Sequence, residues 1–335
     1  MTLMHPTILD TRHHWLITGV AGFIGSNLLE NLIQHDQTVT GLDNFLTGSQ
    51  ANIDAALQNA TPEQRQRFRL IQGDIADPQT CIAATTNVDF VLHQAAIGSV
   101  PWSMDDPLRS HTTNVTGFLN VLMAAQAQQV KRVVYASSSA VYGDSPEVPN
   151  REDRLGQPLS PYAATKHCNE VYAAAWHQAF HLPSIGLRYF NVFGPRQDPN
   201  GPYAAVIPRW IDNLCHDKAC LVFGDGETTR DFCYVDNVVH ANITAALCDL
   251  SLGVFNIAGG EATSLNTLFH TLRDAVAETR PAARTLEPVY QDFRPGDIRH
   301  SMADIRRAQT QLGYHTQVPV KEGLRKTVAW ALAQR

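Results

Sequence analysis

Residues 15–25 read WLITGVAGFIG, an apolar strand followed by a glycine-rich turn and the first turn of a helix. Gly19, Gly22 and Gly25 permit a tight turn, close approach of the backbone to a pyrophosphate, and close packing of the helix on a sheet. The amino terminus of the helix adds amide donors and a dipole that favour phosphate groups. This stretch therefore predicts the first strand, turn and helix of a dinucleotide-binding α/β domain.

Short apolar runs alternate with helical patterns through the first half of the chain. The other strands of this half are predicted at 38–42, 68–72, 88–93, 132–136 and 185–188. Long helices are predicted at 113–128 and 162–180. Strands that alternate with helices are joined by right-handed crossovers, so we expect an α/β fold of the Rossmann type, with a doubly wound parallel sheet.

The pattern changes after about Tyr189, where proline and glycine become frequent. Further helices are predicted at 206–216, 235–248, 265–279 and 320–332. The apolar run at 254–257 predicts one more strand, which returns to the first sheet. The expected boundaries are 1–189 with a return segment at about 232–258 for the Rossmann domain, and 190–231 with 259–335 for a smaller α/β substrate-binding lobe.

The composition is that of a globular protein and argues against several classes of partner. Hydrophobic residues make up 44% of the 335 residues, and charged residues make up 17%. The formal net charge of −6 gives no reason to expect binding to nucleic acid or to an anionic membrane. No apolar run reaches membrane-spanning length, and residues 1–12 lack the apolar core of a signal peptide.

The cysteines and histidines show no metal-binding pattern. The six cysteines are scattered without a Cys-x-x-Cys pair, and the fourteen histidines lack zinc-ligand spacing. This usage is typical of free thiols in a reducing compartment. We therefore expect a cytoplasmic protein without a metal site.

Acidic and small residues at the ends of the next strands extend the dinucleotide site. Asp43 ends the second predicted strand, where a carboxylate meets the adenosine ribose hydroxyls and repels a 2′-phosphate, so NAD is favoured over NADP. Asp74 follows the third strand and either accepts from the adenine amino group or caps a helix. After the fourth strand, the small side chains of Ala95 and Ala96 let the backbone run beside the cofactor.

A second motif supplies the chemistry. Tyr162 and Lys166 are four residues apart and therefore share one face of a helix. An ammonium beside a phenol favours the phenolate and lowers the pKa of Tyr162 toward working pH. Together with the upstream hydroxyl of Ser138 and a dinucleotide site, the pair predicts reversible hydride chemistry at a carbinol.

Three motifs in this order resemble those of the extended short-chain dehydrogenases/reductases, and the resemblance covers nearly the whole chain. They are the glycine turn at 19–25, SSSAVYG at 137–143, and Tyr162 with Lys166. The similarity extends to nucleotide-sugar 4-epimerases, especially the UDP-N-acetylglucosamine 4-epimerases of bacterial surface-polysaccharide pathways, through residues 187–194, 229–235 and 294–297. The resemblance implies that the Rossmann domain binds NAD, that the smaller lobe binds a UDP-sugar, and that the protein forms a homodimer.

The resemblance implies a mechanism in which Tyr162, as a phenolate, removes the proton of the sugar O4 while the C4 hydride passes to NAD. Lys166 holds the phenolate charge and binds the nicotinamide ribose, and Ser138 donates or relays a hydrogen bond at O4. The 4-keto sugar then turns over and receives the hydride on its other face. Related 4,6-dehydratases carry an acid and a base where this chain has Ser139 and Ala140, neither of which exchanges a proton near neutral pH. An epimerase is therefore favoured.

The resemblance also implies two sets of ligand-binding residues. The cofactor-binding residues are Gly19, Gly22, Phe23, Ile24, Gly25, Asp43, Asn44, Asp74, Ile75, Gln94, Ala95, Ala96, Asn114, Tyr162, Lys166 and Tyr189. The substrate-binding residues are Gly98, Ser99, Ser138, Ser139, Asn191, Gln197, Ala205, Val206, Phe223, Arg230, Arg294, Asp297 and Ser301.

Several of these residues have implied roles in nucleotide binding. Arg230 and Arg294 would contact the diphosphate, because a guanidinium fork suits phosphate oxygens. Asp297 would bind the uridine ribose, and Phe223 would stack on the uracil. Two alternatives stay open: Arg230 pairs with a nearby aspartate, or Phe223 belongs to the ordinary core.

Two positions bear on the choice of sugar. Epimerases limited to non-acetylated hexoses commonly have a bulky tyrosine at the position of Ser301, whereas serine leaves room for an N-acetyl group at C2. Trp102 replaces an arginine of the resembling proteins, which weakens the case for a sugar that carries a carboxylate. The alternatives are a UDP-glucose or UDP-uronate 4-epimerase, a net oxidoreductase, and a non-catalytic NAD-sensing regulator.

Homodimers of this family often form through two helices per subunit, which pack as a four-helix bundle. The helices predicted at 113–128 and 162–180 are the candidates. The predicted contacts are Leu119, Leu122, Val171 and Trp176. The same side chains would equally fit the core of a single subunit.

Overall fold

The computed structural model describes residues 11–200, 204–293 and 298–335. The strands are β1 (His14–Thr18), β2 (Thr38–Asp43), β3 (Phe68–Gln72), β4 (Phe90–His93), β5 (Arg132–Ser138), β6 (Ser184–Tyr189), β7 (Val192–Phe193), β8 (Leu221–Phe223), β9 (Thr229–Asp231), β10 (Cys233–Tyr234), β11 (Leu252–Ile257), β12 (Ala262–Ser264) and β13 (Val289–Gln291). The α-helices are α1 (Phe23–Gln34), α2 (Gln50–Leu57), α3 (Pro62–Arg65), α4 (Pro78–Thr85), α5 (Val100–Asp105), α6 (Pro107–His111), α7 (Gly117–Ala127), α8 (Pro161–Phe180), α9 (Val206–Cys215), α10 (Val235–Leu247), α11 (Leu265–Ala277), α12 (Arg306–Leu312) and α13 (Val320–Ala333).

Seven parallel strands form the central sheet, in the order β11-β6-β5-β4-β1-β2-β3. Its first six strands along the chain follow the order of a doubly wound dinucleotide-binding fold, and β11 adds a seventh beside β6. The Rossmann-type fold predicted from the sequence is therefore confirmed, including the late strand that returns to the sheet. Because β1 lies between β2 and β4, the strand order reverses there, and the carboxyl ends of β1 and β4 open a crevice.

Apolar side chains cover both faces of the sheet, as a parallel sheet requires. Successive residues of β1 point to opposite faces, so that Ile17 packs with Leu28 of α1 and Val239 of α10. Leu16 faces the other way and packs with Phe118 of α7. Helices on the two faces therefore hold the strand ends in fixed relation to each other.

The smaller lobe has an apolar cluster of its own, formed around α9, α11 and α13. Trp210, Phe269 and Leu324 are buried there. Two two-stranded pairings, β8 with β13 and β9 with β12, complete the lobe, while β7 of the lobe pairs with β10 of the return segment. The residue boundaries between the two lobes stay a prediction.

The helix that carries the Tyr–Lys motif has a well-defined start. The hydroxyl of Ser160 accepts from the amide of Ala163, and Pro161 occupies the first helical position. The helix ends where His181 adopts a left-handed conformation, with φ of 57°. Both ends lie within one residue of the range predicted from the sequence.

No helix in the described ranges is long and apolar enough to cross a membrane. The same ranges contain no group of three or more His, Cys, Asp or Glu side chains arranged to hold a metal ion.

Candidate active site

A cleft opens at the carboxyl edge of the sheet, where the strand order reverses between β1 and β4. Its lining consists of Gly19, Gly22, Leu42, Asp43, Asn44, Leu46, Thr47, Gly73, Ile75, Gln94, Ala95, Ala96, Ile97 and Thr113. The structure thus brings together eight residues predicted to bind the cofactor: Gly19, Gly22, Asp43, Asn44, Ile75, Gln94, Ala95 and Ala96.

The glycine turn at one wall of this cleft has no room for side chains. Gly19 has a φ of +72°, and a Cβ atom there would lie 2.7 Å from the backbone nitrogen of Ala95. A Cβ atom on Gly25 would lie 2.0 Å from the carbonyl oxygen of Gly19. The backbone of α1 can therefore come close to a ligand only because these positions are glycine.

The first turn of α1 is open to an anion. Gly22 is the N-cap residue of this helix, and no side chain caps its amides. Phe23 and Ile24 begin the helix as half-buried anchors, Phe23 against the apolar cluster of the smaller lobe and Ile24 against the cluster of the sheet. Uncapped amides beside a glycine turn fit the pyrophosphate of a dinucleotide.

Asp43 is held in place by two backbone donors. Its Oδ2 accepts from the amide of Ala21 and its Oδ1 from the amide of Phe45, both at 2.8 Å. Burial raises the pKa of Asp43, while these hydrogen bonds oppose the rise. Each oxygen keeps a further lone pair, so the fixed carboxylate fits the ribose hydroxyls of NAD.

Asp74 is not the cap of the next helix. Its Oδ1 accepts from the amide of Ala76, and its Oδ2 accepts from Asn44 Nδ2, both at 2.8 Å. The N-cap of α4 is instead Asp77. The helix-cap alternative for Asp74 is therefore wrong, and its contact with adenine stays a prediction.

Tyr162, Lys166 and Ser138 come together at the end of β5. Lys166 is buried, and its Nζ donates to the carbonyl oxygen of Ala136 at 2.8 Å. The hydroxyl of Ser138 lies close enough to the phenol of Tyr162 to lower its pKa, and it accepts from the amide of Ala140 at 3.1 Å. Because that amide takes one lone pair, the Ser138 proton is available to the phenol oxygen.

The electrostatics of the pair differ from the expectation. Burial raises the pKa of Tyr162, and the hydrogen bond to Ser138 only partly opposes this rise. Burial also lowers the pKa of Lys166 to about 8. The ammonium lies 6.0 Å from the centroid of the phenol ring. The predicted lowering of the Tyr162 pKa by Lys166 is therefore wrong for the protein alone, because the cost of removing the phenolate from water is larger.

Asn114 lies in a turn of π-helix, Thr112–Thr116, which precedes α7. Its Nδ2 donates to Thr165 Oγ1 and to the carbonyl oxygen of Ile97, both at 3.1 Å, and its Oδ1 accepts from the Ile97 amide at 2.8 Å. The side chain thus connects the segment after β4 to α8. Turns of this kind are frequent at functional sites. Its contact with the cofactor stays a prediction.

Tyr189 and Gln94 belong to a polar cluster that sequence reasoning did not find. The hydroxyl of Tyr189 donates to Gln94 Oε1 at 3.1 Å and accepts from Asn242 Nδ2 at 2.8 Å. Gln94 Nε2 donates to Asn242 Oδ1 at 3.0 Å. The one signal in the sequence was an asparagine within the apolar pattern of α10. The cluster fixes the end of β4 beside the cleft.

Two of the predicted sugar-pocket residues, Ser99 and Asn191, are positioned by hydrogen bonds within the chain. Ser99 caps α5 by accepting from the amide of Trp102 at 3.1 Å, and the space around the Cα of Gly98 is open. Asn191 Nδ2 donates to the carbonyl oxygen of Asp231 at 2.9 Å. Gln197 Oε1 is buried and has no hydrogen-bond partner among the described residues, and its contact with the sugar stays a prediction.

The remaining predicted substrate residues that the structure describes lie in the smaller lobe or next to Ser138. Ser139 begins a single turn of 3₁₀-helix, Ser139–Tyr142. Ala205 and Val206 lie at the start of α9, and Phe223 ends β8 half-buried. Arg294 and Asp297 lie outside the described residues.

Ser301 and Arg230 lie on neighbouring segments. The amide of Ser301 donates to the carbonyl oxygen of Thr229 at 3.2 Å, and Arg230 Nη1 donates to the same oxygen at 2.9 Å. Asp231, which sequence reasoning assigned no site role of its own, is fully buried and accepts from the amide of Ala303 at 3.1 Å. Burial raises its pKa to about 6. The carboxylate therefore holds the segment that contains Ser301 against the β9 strand.

The predicted dimer helices are both present, but one predicted contact is wrong. Leu122 is completely buried within its own chain, where it packs in the cluster of Phe118, so it is not available to a partner. Val171 of α8 has 59% of its surface exposed. Leu119 and Trp176 are half-buried.

Comparison with known proteins adds to this geometry. Residues 15–258 match the NAD dependent epimerase/dehydratase family. A UDP-glucose 4-epimerase of Mycolicibacterium smegmatis is 36% identical over 93% of this chain and 96% of its own, and a UDP-glucuronate 4-epimerase of Thermodesulfobacterium geofontis is 33% identical over 95% and 96%. The structure of a UDP-N-acetylglucosamine 4-epimerase from Methanobrevibacter ruminantium, in complex with UDP-N-acetylmuramic acid, superposes with a TM-score of 0.88 at 37% identity, covering 97% of this chain and 100% of that one.

The glycine turn, the uncapped helix and the acidic strand end fit NAD on structural grounds, and the family match spans well over half of the chain. The chain belongs to the NAD-dependent epimerase/dehydratase family.

Proposed function

We propose that this protein is an NAD-dependent UDP-sugar 4-epimerase that interconverts UDP-N-acetylglucosamine and UDP-N-acetylgalactosamine. The observation that carries the proposal is the meeting of Ser138, Tyr162 and Lys166 at the end of β5, beside a cleft that fits a dinucleotide. Similarity to a UDP-glucose 4-epimerase, a UDP-glucuronate 4-epimerase and a UDP-N-acetylglucosamine 4-epimerase supports the reaction class. These relatives differ in their sugars, so the choice of sugar rests on the residues of the pocket.

The cofactor would be held by the glycine turn, by the first amides of α1 and by the carboxylate of Asp43. When bound, NAD supplies a positively charged acceptor that takes the C4 hydride reversibly. Lys166, with its ammonium anchored at the carbonyl of Ala136, would bind the nicotinamide ribose and keep a positive charge near the phenol.

Tyr162 would act as the general base at the sugar O4. Its phenol must lose a proton before it can accept one, and burial opposes that loss. The hydroxyl of Ser138 stabilises the phenolate by donating to it, and the same hydroxyl would contact O4 during proton transfer. On the return half of the reaction, Tyr162 gives the proton back to O4.

The 4-keto sugar would not lose water, because the residues next to Ser138 include no acid or base. Ser139 and Ala140 stand beside Ser138, and neither side chain can add or remove a proton at C5 near neutral pH. Elimination of water is therefore disfavoured, and reduction at C4 is the remaining outcome. An epimerase needs only that the sugar present its other face before it is reduced.

Acceptance of an N-acetyl group is proposed from Ser301. Serine is small, and its segment is held by the carboxylate of Asp231 through the amide of Ala303. The side chain at position 102 is an uncharged indole, and the guanidinium of Arg109 lies 5.7 Å from the centroid of its ring. A carboxylate-bearing sugar would gain less from an indole than from a guanidinium at position 102.

The lobe boundaries and the oligomeric state are part of the proposal. Residues 1–189 with 232–258 would form the NAD-binding domain, and residues 190–231 with 259–335 would form the UDP-sugar-binding lobe. A homodimer would form through α7 and α8, in keeping with the exposed side chain of Val171.

The test is interconversion of three sugar pairs by the purified protein: the N-acetylated, the plain and the uronate forms of UDP-glucose and its 4-epimer. We expect the highest kcat/KM for the N-acetylated pair and no net NADH. Tyr162→Phe should lower kcat by about 10²–10⁴-fold, as loss of a general base does. Tyr172→Phe, on the exposed side of the same helix, is the matched control and should leave kcat unchanged.

Steady accumulation of NADH with a UDP-sugar would show that the protein is a net oxidoreductase and not an epimerase. Full activity of Tyr162→Phe would show that Tyr162 is not the general base.

A further inference from the structure

A buried ion pair joins the helix that carries Tyr162 and Lys166 to the strand next to β5. Glu170 is on α8, one helical turn beyond Lys166, and Arg188 is on β6. Arg188 donates from Nε to Glu170 Oε1 at 2.9 Å and from Nη2 to Oε2 at 2.7 Å. Both side chains are at least nine-tenths buried. Burying two charges is costly, and such pairs are best explained where they specify a geometry rather than add stability.

Ser137 connects this ion pair to the strand that carries Ser138. Its hydroxyl is buried and donates to Glu170 Oε1 at 2.5 Å. Ser137 and Ser138 are consecutive in β5, while Glu170 and Tyr162 share α8. The Ser137–Glu170 hydrogen bond therefore joins the same two elements that carry Ser138 and Tyr162.

The register of the sheet explains why these residues meet. Ser137 is paired with Arg188 across β5 and β6, and Arg188 is paired with Asn256 across β6 and β11. The hydroxyl of Tyr142 completes this row, since it accepts from Arg188 Nη1 at 3.0 Å and donates to Asn256 Oδ1 at 2.6 Å. In β5 this row lies at Ser137, one residue before Ser138.

The network continues toward the sugar pocket. Asn256 Nδ2 donates to the carbonyl oxygens of Asn150 and Asp304, at 3.0 Å and 3.1 Å. The amide of Asn150 donates to the carbonyl oxygen of Met302 at 2.7 Å. The segment that begins at Ser301 is thus fastened to the same hydrogen-bonded row.

We propose that Ser137, Glu170 and Arg188 are positioning residues that hold the hydroxyl of Ser138 against the phenol of Tyr162. All three are at least nine-tenths buried, so they act through Ser138 and Tyr162 rather than on a ligand. The inference rests on the proposed roles of Tyr162 and Ser138.

Ser137→Ala is the sharpest test, because it removes one hydroxyl and leaves the Glu170–Arg188 pair intact. The Ser138 hydrogen bond lowers the pKa of Tyr162, so a looser contact raises it. In the holoenzyme, the near-ultraviolet titration of the phenolate, taken as the difference from the same protein with Tyr162→Phe, should move up by roughly half a pH unit or more. The acid limb of the kcat profile should move in the same direction, with kcat reduced several-fold at neutral pH.

Ser184→Ala is the matched control. Ser184 is a buried serine at the opposite end of β6, and its hydroxyl donates to the carbonyl oxygen of Leu182. We expect this variant to retain both the phenolate titration and the kcat profile. An unchanged titration in Ser137→Ala, or an equal shift in Ser184→Ala, would overturn the proposal.

Tyr142→Phe is a second variant that removes a different atom of the same row. It should shift the phenolate titration in the same direction but by less, since Ser137 stays bonded to Glu170. If Ser137→Ala does not fold, an unshifted titration in Tyr142→Phe overturns the proposal. The Tyr162 titration could shift as expected in these variants while the wild-type protein epimerises no UDP-sugar. In that case the proposed function fails and the positioning role stands.

Discussion

Tyr162 experiences opposing influences from its neighbours. Burial raises the pKa of its phenol, and the Ser138 hydroxyl lowers it. Lys166 is four residues away, but its ammonium donates to a backbone carbonyl and lies 6.0 Å from the ring centroid. For Tyr162 to act as the proposed base, the positive charge of a bound cofactor and a protonated Lys166 would have to lower the pKa of its phenol.

The pH dependence of activity should reflect Lys166. Burial lowers the pKa of Lys166 to about 8, so the ammonium is present below that pH and is lost as pH rises through it. We expect kcat/KM, which reports the free enzyme, to decline on the alkaline side. In Lys166→Arg the guanidinium stays charged, so its profile should lack this decline relative to its own maximum. A wild-type profile that is flat up to about pH 10 would contradict the assignment.

Ser301 should control the choice between acetylated and plain sugars. In Ser301→Tyr the phenol would fill the space proposed for the N-acetyl group, and kcat/KM for UDP-N-acetylglucosamine should fall about tenfold or more relative to UDP-glucose. Ser301→Ala keeps the space open and should preserve the wild-type ratio. Equal losses for both sugars in Ser301→Tyr would show that the residue does not discriminate at C2.

At the scale of elements, the start of α8 matters for both stability and catalysis. Ser160 caps the helix two residues before Tyr162, and Ser264 caps α11 in the smaller lobe in the same way. Removal of either cap should lower the free energy of unfolding by about 1 kcal/mol. Ser160→Ala should also reduce kcat, because the first turn of α8 carries the proposed base Tyr162, whereas Ser264→Ala should not. Denaturant unfolding and initial rates on both variants test this, and equal kcat values would refute it.

Element boundaries followed from local patterns to within about two residues. β6 spans Ser184–Tyr189 where 185–188 was predicted, and α8 spans Pro161–Phe180 where 162–180 was predicted. The π-helical turn around Asn114 was missed. Apolar periodicity cannot reveal such a turn, since it depends on hydrogen bonds to Ile97 and Thr165, which are distant in sequence.

At the scale of the whole molecule, the exposed side of α8 bears on assembly. Val171 is the predicted dimer contact that the structure leaves exposed, with 59% of its surface accessible. Val171→Lys should place a charge in the proposed four-helix interface and shift the protein from dimer to monomer in light-scattering measurements. Leu221→Lys changes a comparably exposed residue of the smaller lobe and should leave the mass unchanged. A wild-type monomer, or a dimer that survives Val171→Lys, would exclude this interface.

The sequence alone determined the glycine turn, the strand–helix alternation, and the meeting of Tyr162 with Lys166 on one helical face. Each of these depends on residues only a few positions apart, so local conformation decides it. Tertiary structure alone decided that Leu122 lies inside its own chain and that burial governs the pKa of Tyr162. It also decided that Ser137 and Arg188 align across neighbouring strands. Burial and strand register join segments far apart in the chain, and no local pattern of residue types encodes them.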